Sequence, residues 1–128
     1  MAKRLLRGRV ESGEGDATKW PTEEIRRLTR YNLVPVTLNV VLDAPHTLRP
    51  DFTLPKEHRS DERQEDLNFE RCALMVGADR VRALIARTST NYHGCWVLEI
   101  MAEKRLKESY GLNDGDWICV EVCVDPSS

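Results

Sequence analysis

Val34-Pro35-Val36-Thr37-Leu38-Asn39-Val40-Val41-Leu42 is the strongest strand signal in the chain. Successive side chains of a strand point to opposite faces, so Val36, Leu38, Val40 and Leu42 form one apolar face. Thr37 and Asn39 share the other. A hydroxyl beside an amide oxygen suits a hard, strongly hydrated cation such as Mg²⁺, which keeps several waters and takes its remaining ligands from protein and phosphate oxygens. The alternative is a solvated strand face carrying two ordinary polar residues.

The rest of the chain bounds what that strand can belong to. At 128 residues it has the size of one domain spanning 1–128, large enough to bury a core and too short for two. Nineteen Lys and Arg against twenty-one Asp and Glu leave a net charge of -2, which gives no general attraction to nucleic acid or anionic lipid. The apolar runs at 34–42 and 95–102 are too short to span a membrane, and Met1-Ala2-Lys3-Arg4 is not followed by a signal-peptide core. A soluble cytoplasmic protein is expected. Cys72, Cys95, Cys119 and Cys123 match no zinc-knuckle spacing and read as buried or half-buried free thiols. His46, His58 and His93 form no ligand pair, so no transition metal is expected.

In chain order, Leu6-Arg7-Gly8-Arg9-Val10-Glu11 alternates as a half-buried strand does. It runs into Ser12-Gly13-Glu14-Gly15-Asp16-Ala17, where glycines two apart free the backbone either to turn N–H groups toward phosphate oxygens or to make a plain turn. Pro21 to Tyr31 predicts a helix, with Pro21 in the first turn, Glu23 and Glu24 near its positive end and Ile25 and Leu28 as its buried stripe. Pro45, Pro50 and Pro55 punctuate a polar stretch from Asp43 to Glu70 that reads as one long loop outside the core.

Cys72–Val76 and Val81–Ala86 read as strands joined through Gly77-Ala78-Asp79-Arg80. Cys95–Ala102 reads as a strand with Trp96, Leu98 and Ile100 on one face and Val97, Glu99 and Met101 on the other. Glu99 among apolar neighbours needs a partner or a ligand unless it lies at a strand edge in water. A short helix from Glu103 to Tyr110 is closed by Gly111, Asn113-Asp114-Gly115-Asp116 makes a turn, and Trp117 to Val124 forms the last strand. Many short strands, few helices and no βαβ alternation predict a small, mainly β barrel.

Taken together, Gly8-Arg9-Val10-Glu11-Ser12-Gly13-Glu14-Gly15, Pro35-Val36-Thr37-Leu38-Asn39-Val40, Asn91-Tyr92-His93, Leu98-Glu99-Ile100 and Gly111-Leu112-Asn113-Asp114-Gly115-Asp116 resemble the archaeal-type CTP-dependent riboflavin kinases in order and spacing. The resemblance implies a six-stranded cradle-loop (RIFT-like) barrel with two short helices, which transfers the γ-phosphoryl group of CTP to the 5′-hydroxyl of riboflavin to give FMN and CDP. It implies Thr37 and Asn39 as Mg²⁺ ligands and Gly13, Glu14, Gly15 and Asp16 against the CTP phosphates. Lys104, Arg105, Leu106 and Lys107 would line the nucleotide site. Glu99 would lie beside the ribityl hydroxyl as a candidate general base, and Asn91 at a flavin-side position where threonine is familiar. One departure is that the glycine segment passes almost directly into the helix, without the aromatic-containing strand usual in the family.

Two other classes stay open at this stage. A non-catalytic flavin- or nucleotide-binding barrel is compatible with the same fold. A DNA-binding barrel has only Lys3, Arg4, Arg7 and Arg9 in its favour, and the near-neutral composition makes nucleic acid an unexpected partner. Oligomeric state leaves no mark on the sequence.

Overall fold

Alternating apolar residues give the strands one inward face, and the sheet closes on itself to bury it. The computed structural model describes residues 2–16, 20–59, 65–88 and 94–124. Its strands are β1 (Ala2–Asp16), β2 (Val36–Leu42), β3 (Phe52–Leu54), β4 (Leu67–Val76), β5 (Asp79–Thr88), β6 (Val97–Ala102) and β7 (Trp117–Val124), with helices α1 (Thr22–Thr29) and α2 (Leu106–Tyr110). The strand order is β3-β4-β5-β6-β2-β1-β7, and β4 also pairs with β7. That pairing closes six antiparallel strands into a barrel and leaves β3 as an extra strand on β4, as expected for a mainly β barrel with two short helices.

Leu6, Val10, Leu38, Val40, Leu74, Ile85, Leu98, Ile100 and Val120 fill the interior. The opposite parity of β4, β5 and β6 presents Phe69, Leu84, Ala86 and Met101 outward, where Ile25 and Tyr31 cover them in a second apolar cluster. Helix α1 exists largely for that contact, since eight residues are too few to be stable alone in water. Gly8 marks the tightest approach of β1 to β2. A Cβ there would meet Val40 Cγ1 at 2.6 Å and the Val41 carbonyl oxygen at 2.7 Å. Gly8→Ala is therefore expected to destabilise the protein by about 1–3 kcal/mol, the usual cost of overpacking, measured as a lower denaturant midpoint at unchanged m-value.

Several expectations change in the folded chain. The glycine segment is not a turn between strand and helix but the continuation of β1 through Asp16. Val10 faces Val40 and Glu14 faces Leu38, so four steps on β1 answer two on β2, and the excess is absorbed as a bulge. The long loop is broken by β3, by a 3₁₀ turn at Lys56–His58 and by the start of β4. It is not outside the core, because Leu54, Leu67 and Phe69 are buried. The polar pattern concealed them because their sequence neighbours are mostly polar, with Thr53 beside Leu54, Asp66 and Asn68 around Leu67, and Asn68 and Glu70 around Phe69. The hairpin turn is only Gly77-Ala78, since Val76 pairs with Asp79, and Gly77 takes the positive φ of 58° that such a turn requires. Strand β6 begins at Val97, which leaves Trp96 in a 3₁₀ turn and half exposed rather than on the core face. Helix α2 begins at Leu106, so Glu103, Lys104 and Arg105 precede it. Cys72 is buried and Cys95 and Cys119 are half-buried as expected, but Cys123 is exposed. Burial pushes the Cys72 thiol pKa well up, and the nearby Glu70 adds to it.

One end of the barrel is plugged by polar groups from that supposed loop. His46 Nε2 and Glu70 Oε1 lie 2.7 Å apart with both side chains buried. Arg87, also buried, donates to the carbonyl oxygens of His46 at 3.4 Å and Val97 at 3.2 Å. Removing one member of such a pair strands the other in low dielectric. Glu70→Ala is expected to cost about 3 kcal/mol, read as a lower melting temperature, and an unchanged value would show that water reaches His46.

Candidate active site

Because β2 alternates strictly, the face opposite the barrel core carries Thr37 and Asn39 together. Thr37 is only 2% exposed and Asn39 half-buried. Among the described residues, Thr37 Oγ1 and Asn39 Oδ1 are shut off from solvent and have no hydrogen-bond partner. Buried polar atoms are nearly always paired, and leaving one unpaired costs about 1–3 kcal/mol. Two such oxygens on one strand face fit the donor set of a hard cation.

Strand pairing brings the other predicted residues to this face. Asn39 lies directly opposite Glu99 on β6, so the two side chains are cross-strand neighbours on the same outer surface. On the other side of β2, Gly15 lies opposite Thr37 and Asp16 opposite Val36, which puts the backbone of the bulged glycine segment along the Thr37 edge. Glu99 is half-buried, and Ala86 of β5 is its neighbour on the far side.

The segment Lys104-Arg105-Leu106-Lys107 leaves the end of β6 at the same barrel mouth. Lys104 and Leu106 meet Val36, Leu38, Ile100 and Ala102 on the core side of β2, the face opposite Thr37. Lys104 and Arg105 are exposed, whereas Leu106 is buried and joins the barrel core. Its role is to seat the segment, leaving the cations to face outward. Lys107 Nζ pairs with Asp114 Oδ1 at 3.0 Å. Asn91 lies outside the described residues.

The four basic residues near the start make contacts on the outer surface of the barrel. Lys3 pairs with Glu121 at 3.3 Å, Arg4 donates to the Pro45 carbonyl at 3.5 Å, and the Arg7 and Arg9 guanidinium carbons lie 4.2 and 5.6 Å from the centroid of the Trp117 ring. All four side chains stay exposed on the outer surface of β1 while making these contacts.

With this arrangement in view, comparison with known families is decisive. The profile of the CTP-dependent riboflavin kinases, described as Domain of unknown function DUF120, matches residues 10–122. The chain belongs to the CTP-dependent riboflavin kinase family. No curated protein matches it. In this family member the matched span begins in β1 and ends in β7, so it covers the closed barrel together with the Thr37, Asn39 and Glu99 face.

Sequence reading missed one group beside this site. Arg82 Nε donates to Glu103 Oε1 at 2.8 Å, and the Asn32 backbone N–H donates to Glu103 Oε2 at 3.1 Å. The Arg82 contact, then the Asn32 bond, holds the Glu103 carboxyl below its ordinary pKa. The alternation Arg80-Val81-Arg82 at the start of β5 is the signal that could have found it, because it sets two guanidinium groups on one face.

Proposed function

We propose that this barrel transfers the γ-phosphoryl group of CTP to the 5′-hydroxyl of riboflavin, giving FMN and CDP. The observation that carries the reading is the pair of orphaned oxygens, Thr37 Oγ1 and Asn39 Oδ1, on one strand face with Asn39 directly opposite Glu99. Phosphoryl transfer asks a protein mainly to position the reactants and to balance charge, and this face has the groups to do both.

Thr37 and Asn39 would hold Mg²⁺ together with the donor phosphates. When bound, the ion supplies positive charge to the phosphate oxygens as the bond to the leaving group breaks. Lys104, Arg105 and Lys107 bring positive charge to the same barrel mouth, and the glycine segment lets backbone approach the phosphates closely. Glu99, one strand away from Asn39, accepts a hydrogen bond from the 5′-hydroxyl, orients its lone pair for in-line attack and takes up its proton as the new P–O bond forms. Burial of Thr37 and half-burial of Asn39 and Glu99 keep competing water away from the transferred group. Among the described residues, no helix is long and apolar enough to cross a membrane.

The test is incubation with riboflavin, Mg²⁺ and each nucleoside triphosphate in turn, followed by chromatography for FMN. Formation of FMN with CTP is the expected result, and CTP is expected to raise the melting temperature more than ATP does, through preferential binding to the native state. Riboflavin binding without any FMN would favour a non-catalytic flavin-binding barrel instead.

A further inference from the structure

Across the barrel from Thr37, Asn39 and Glu99 lies a second outward sheet face, where β1, β7, β4 and β5 run side by side. Register sorts its side chains into rows. Arg9 lies opposite Trp117 and Arg7 opposite Cys119, and the second row continues through Met75 to Arg80. Lys3 and Arg80 reach one carboxylate, Glu121, from its two sides at 3.3 and 2.6 Å.

Arg7 and Arg9 are placed differently. Among the described residues neither meets a carboxylate, and both guanidinium groups lie against the Trp117 ring instead. That ring stays 51% exposed, and Leu5 on the same face is 63% exposed. The net charge of -2 conceals this face because it averages over charges that the fold segregates. Here Lys3, Arg7, Arg9 and Arg80 surround a single acid, Glu121, which two of them already neutralise. Beyond Arg9 the sign reverses, since Glu11 and Asp114 line a hollow of about 240 Å³ with it, and the positive strip ends there.

A strip that combines guanidinium groups with an exposed indole complements a polymer that alternates phosphates with flat rings. Arg7 and Arg9 are two residues apart on β1 and so about 7 Å apart, which suits successive phosphates of an extended strand. The indole and the guanidinium groups offer π faces on which bases stack whatever their sequence. A duplex fits less well, because its major groove admits a helix or a two-stranded ribbon and the wall of a closed barrel offers neither. A membrane fits less well too, because Leu5 and Trp117 are separated by the row of Arg7 and Cys119 and form no continuous apolar surface.

We infer that the outer face of β1 and β7 binds single-stranded nucleic acid, with Arg7 and Arg9 meeting phosphates and Trp117 stacking against a base. This is an activity separate from phosphoryl transfer and does not rest on it. The two faces lie on opposite sides of the barrel, so both can be occupied at once.

The test uses the full chain and a fluorescein-labelled oligo(dT) of about twelve nucleotides, a length within the site size of a small barrel. Anisotropy titrations run from about 50 to about 200 mM salt. Binding that weakens as salt rises is the expected result. Replacing both arginines, Arg7→Gln with Arg9→Gln, is expected to flatten the slope of log affinity against log salt by about 1.4, two contacts at about 0.7 each on a single strand. Trp117→Leu is expected to weaken binding about tenfold at an unchanged slope, and Trp117→Tyr to restore most of it. FMN formation is expected to stay at the unmodified level in all these variants, and melting temperatures show which of them are folded. Should Trp117→Leu fail to fold, the arginine pair and Trp117→Tyr carry the test. Excess CTP with Mg²⁺ is expected to leave the oligonucleotide bound, whereas displacement would place it in the nucleotide site and overturn the inference. No binding at about 50 mM salt, an unchanged slope in the folded arginine variant, or equal affinity for polyglutamate would each overturn it as well. Binding to phosphatidylserine vesicles without binding to oligo(dT) would assign the face to a membrane and reject nucleic acid.

Discussion

Glu99→Gln is expected to lower FMN formation from riboflavin and CTP by about 10²–10⁴-fold, the usual contribution of a general base. The amide keeps the shape of the carboxylate and its place opposite Asn39, so the strand pairing between β2 and β6 is undisturbed. Riboflavin affinity and melting temperature are therefore expected to stay close to those of the unmodified protein. What is lost is the ability to take the hydroxyl proton. The loss belongs in kcat rather than KM, because an interaction made only in the transition state lowers both kcat and kcat/KM. A carboxylate serving only the sheet behaves otherwise. Its replacement would lower stability and binding together, or neither, with turnover following stability. Unchanged turnover in Glu99→Gln would remove the catalytic role.

The second large effect is expected at the orphaned oxygens, and it separates stability from function. Thr37→Val replaces a buried hydroxyl that has no partner by a methyl group of similar size. In the absence of ligand this removes a desolvated polar group, so the variant is expected to be as stable as the unmodified protein or about 1 kcal/mol more so. In Mg²⁺ the same change would remove one of the two proposed ligands. Nucleotide affinity is expected to fall at least about tenfold, as for Asn39→Ala, and in EDTA the variants and the unmodified protein are expected to bind nucleotide with similar, weak affinity. A polar pair kept at a cost to the ligand-free fold is what a binding site requires. Equal losses with and without Mg²⁺ would count against metal ligation, and a large drop in melting temperature for Thr37→Val would mean that the hydroxyl has a structural partner.

Much of this site is legible in the one-dimensional pattern because a strand has a period of two. Once Val36, Leu38, Val40 and Leu42 are assigned to the core, Thr37 and Asn39 must share the opposite face, whatever the sheet does next. The same rule separates Leu98 and Ile100 from Glu99, and Gly111 ends α2 because its left-handed backbone suits glycine. Local geometry dictates these features, so local sequence reveals them.

Register is different, because it depends on which strands meet and where each begins. Nothing in the residues around position 39 or 99 says that Asn39 faces Glu99, or that Gly15 reaches Thr37. That required closure of the barrel and a bulge of two extra residues in β1. The stretch from Asp43 to Glu70 was opaque for a related reason. The burial of His46 and Glu70 is favourable only because each meets the other across 24 positions, and composition alone counts both as surface residues. Likewise Arg82 and Glu103 make an acceptor–donor pair only after β5 and β6 are laid side by side, with Ala83 opposite Ala102. The sequence by itself determined which side chains share a strand face, because that follows from backbone stereochemistry one residue at a time. The tertiary structure alone decided which faces meet, because contacts between distant residues are set by the closure of the whole sheet around one core.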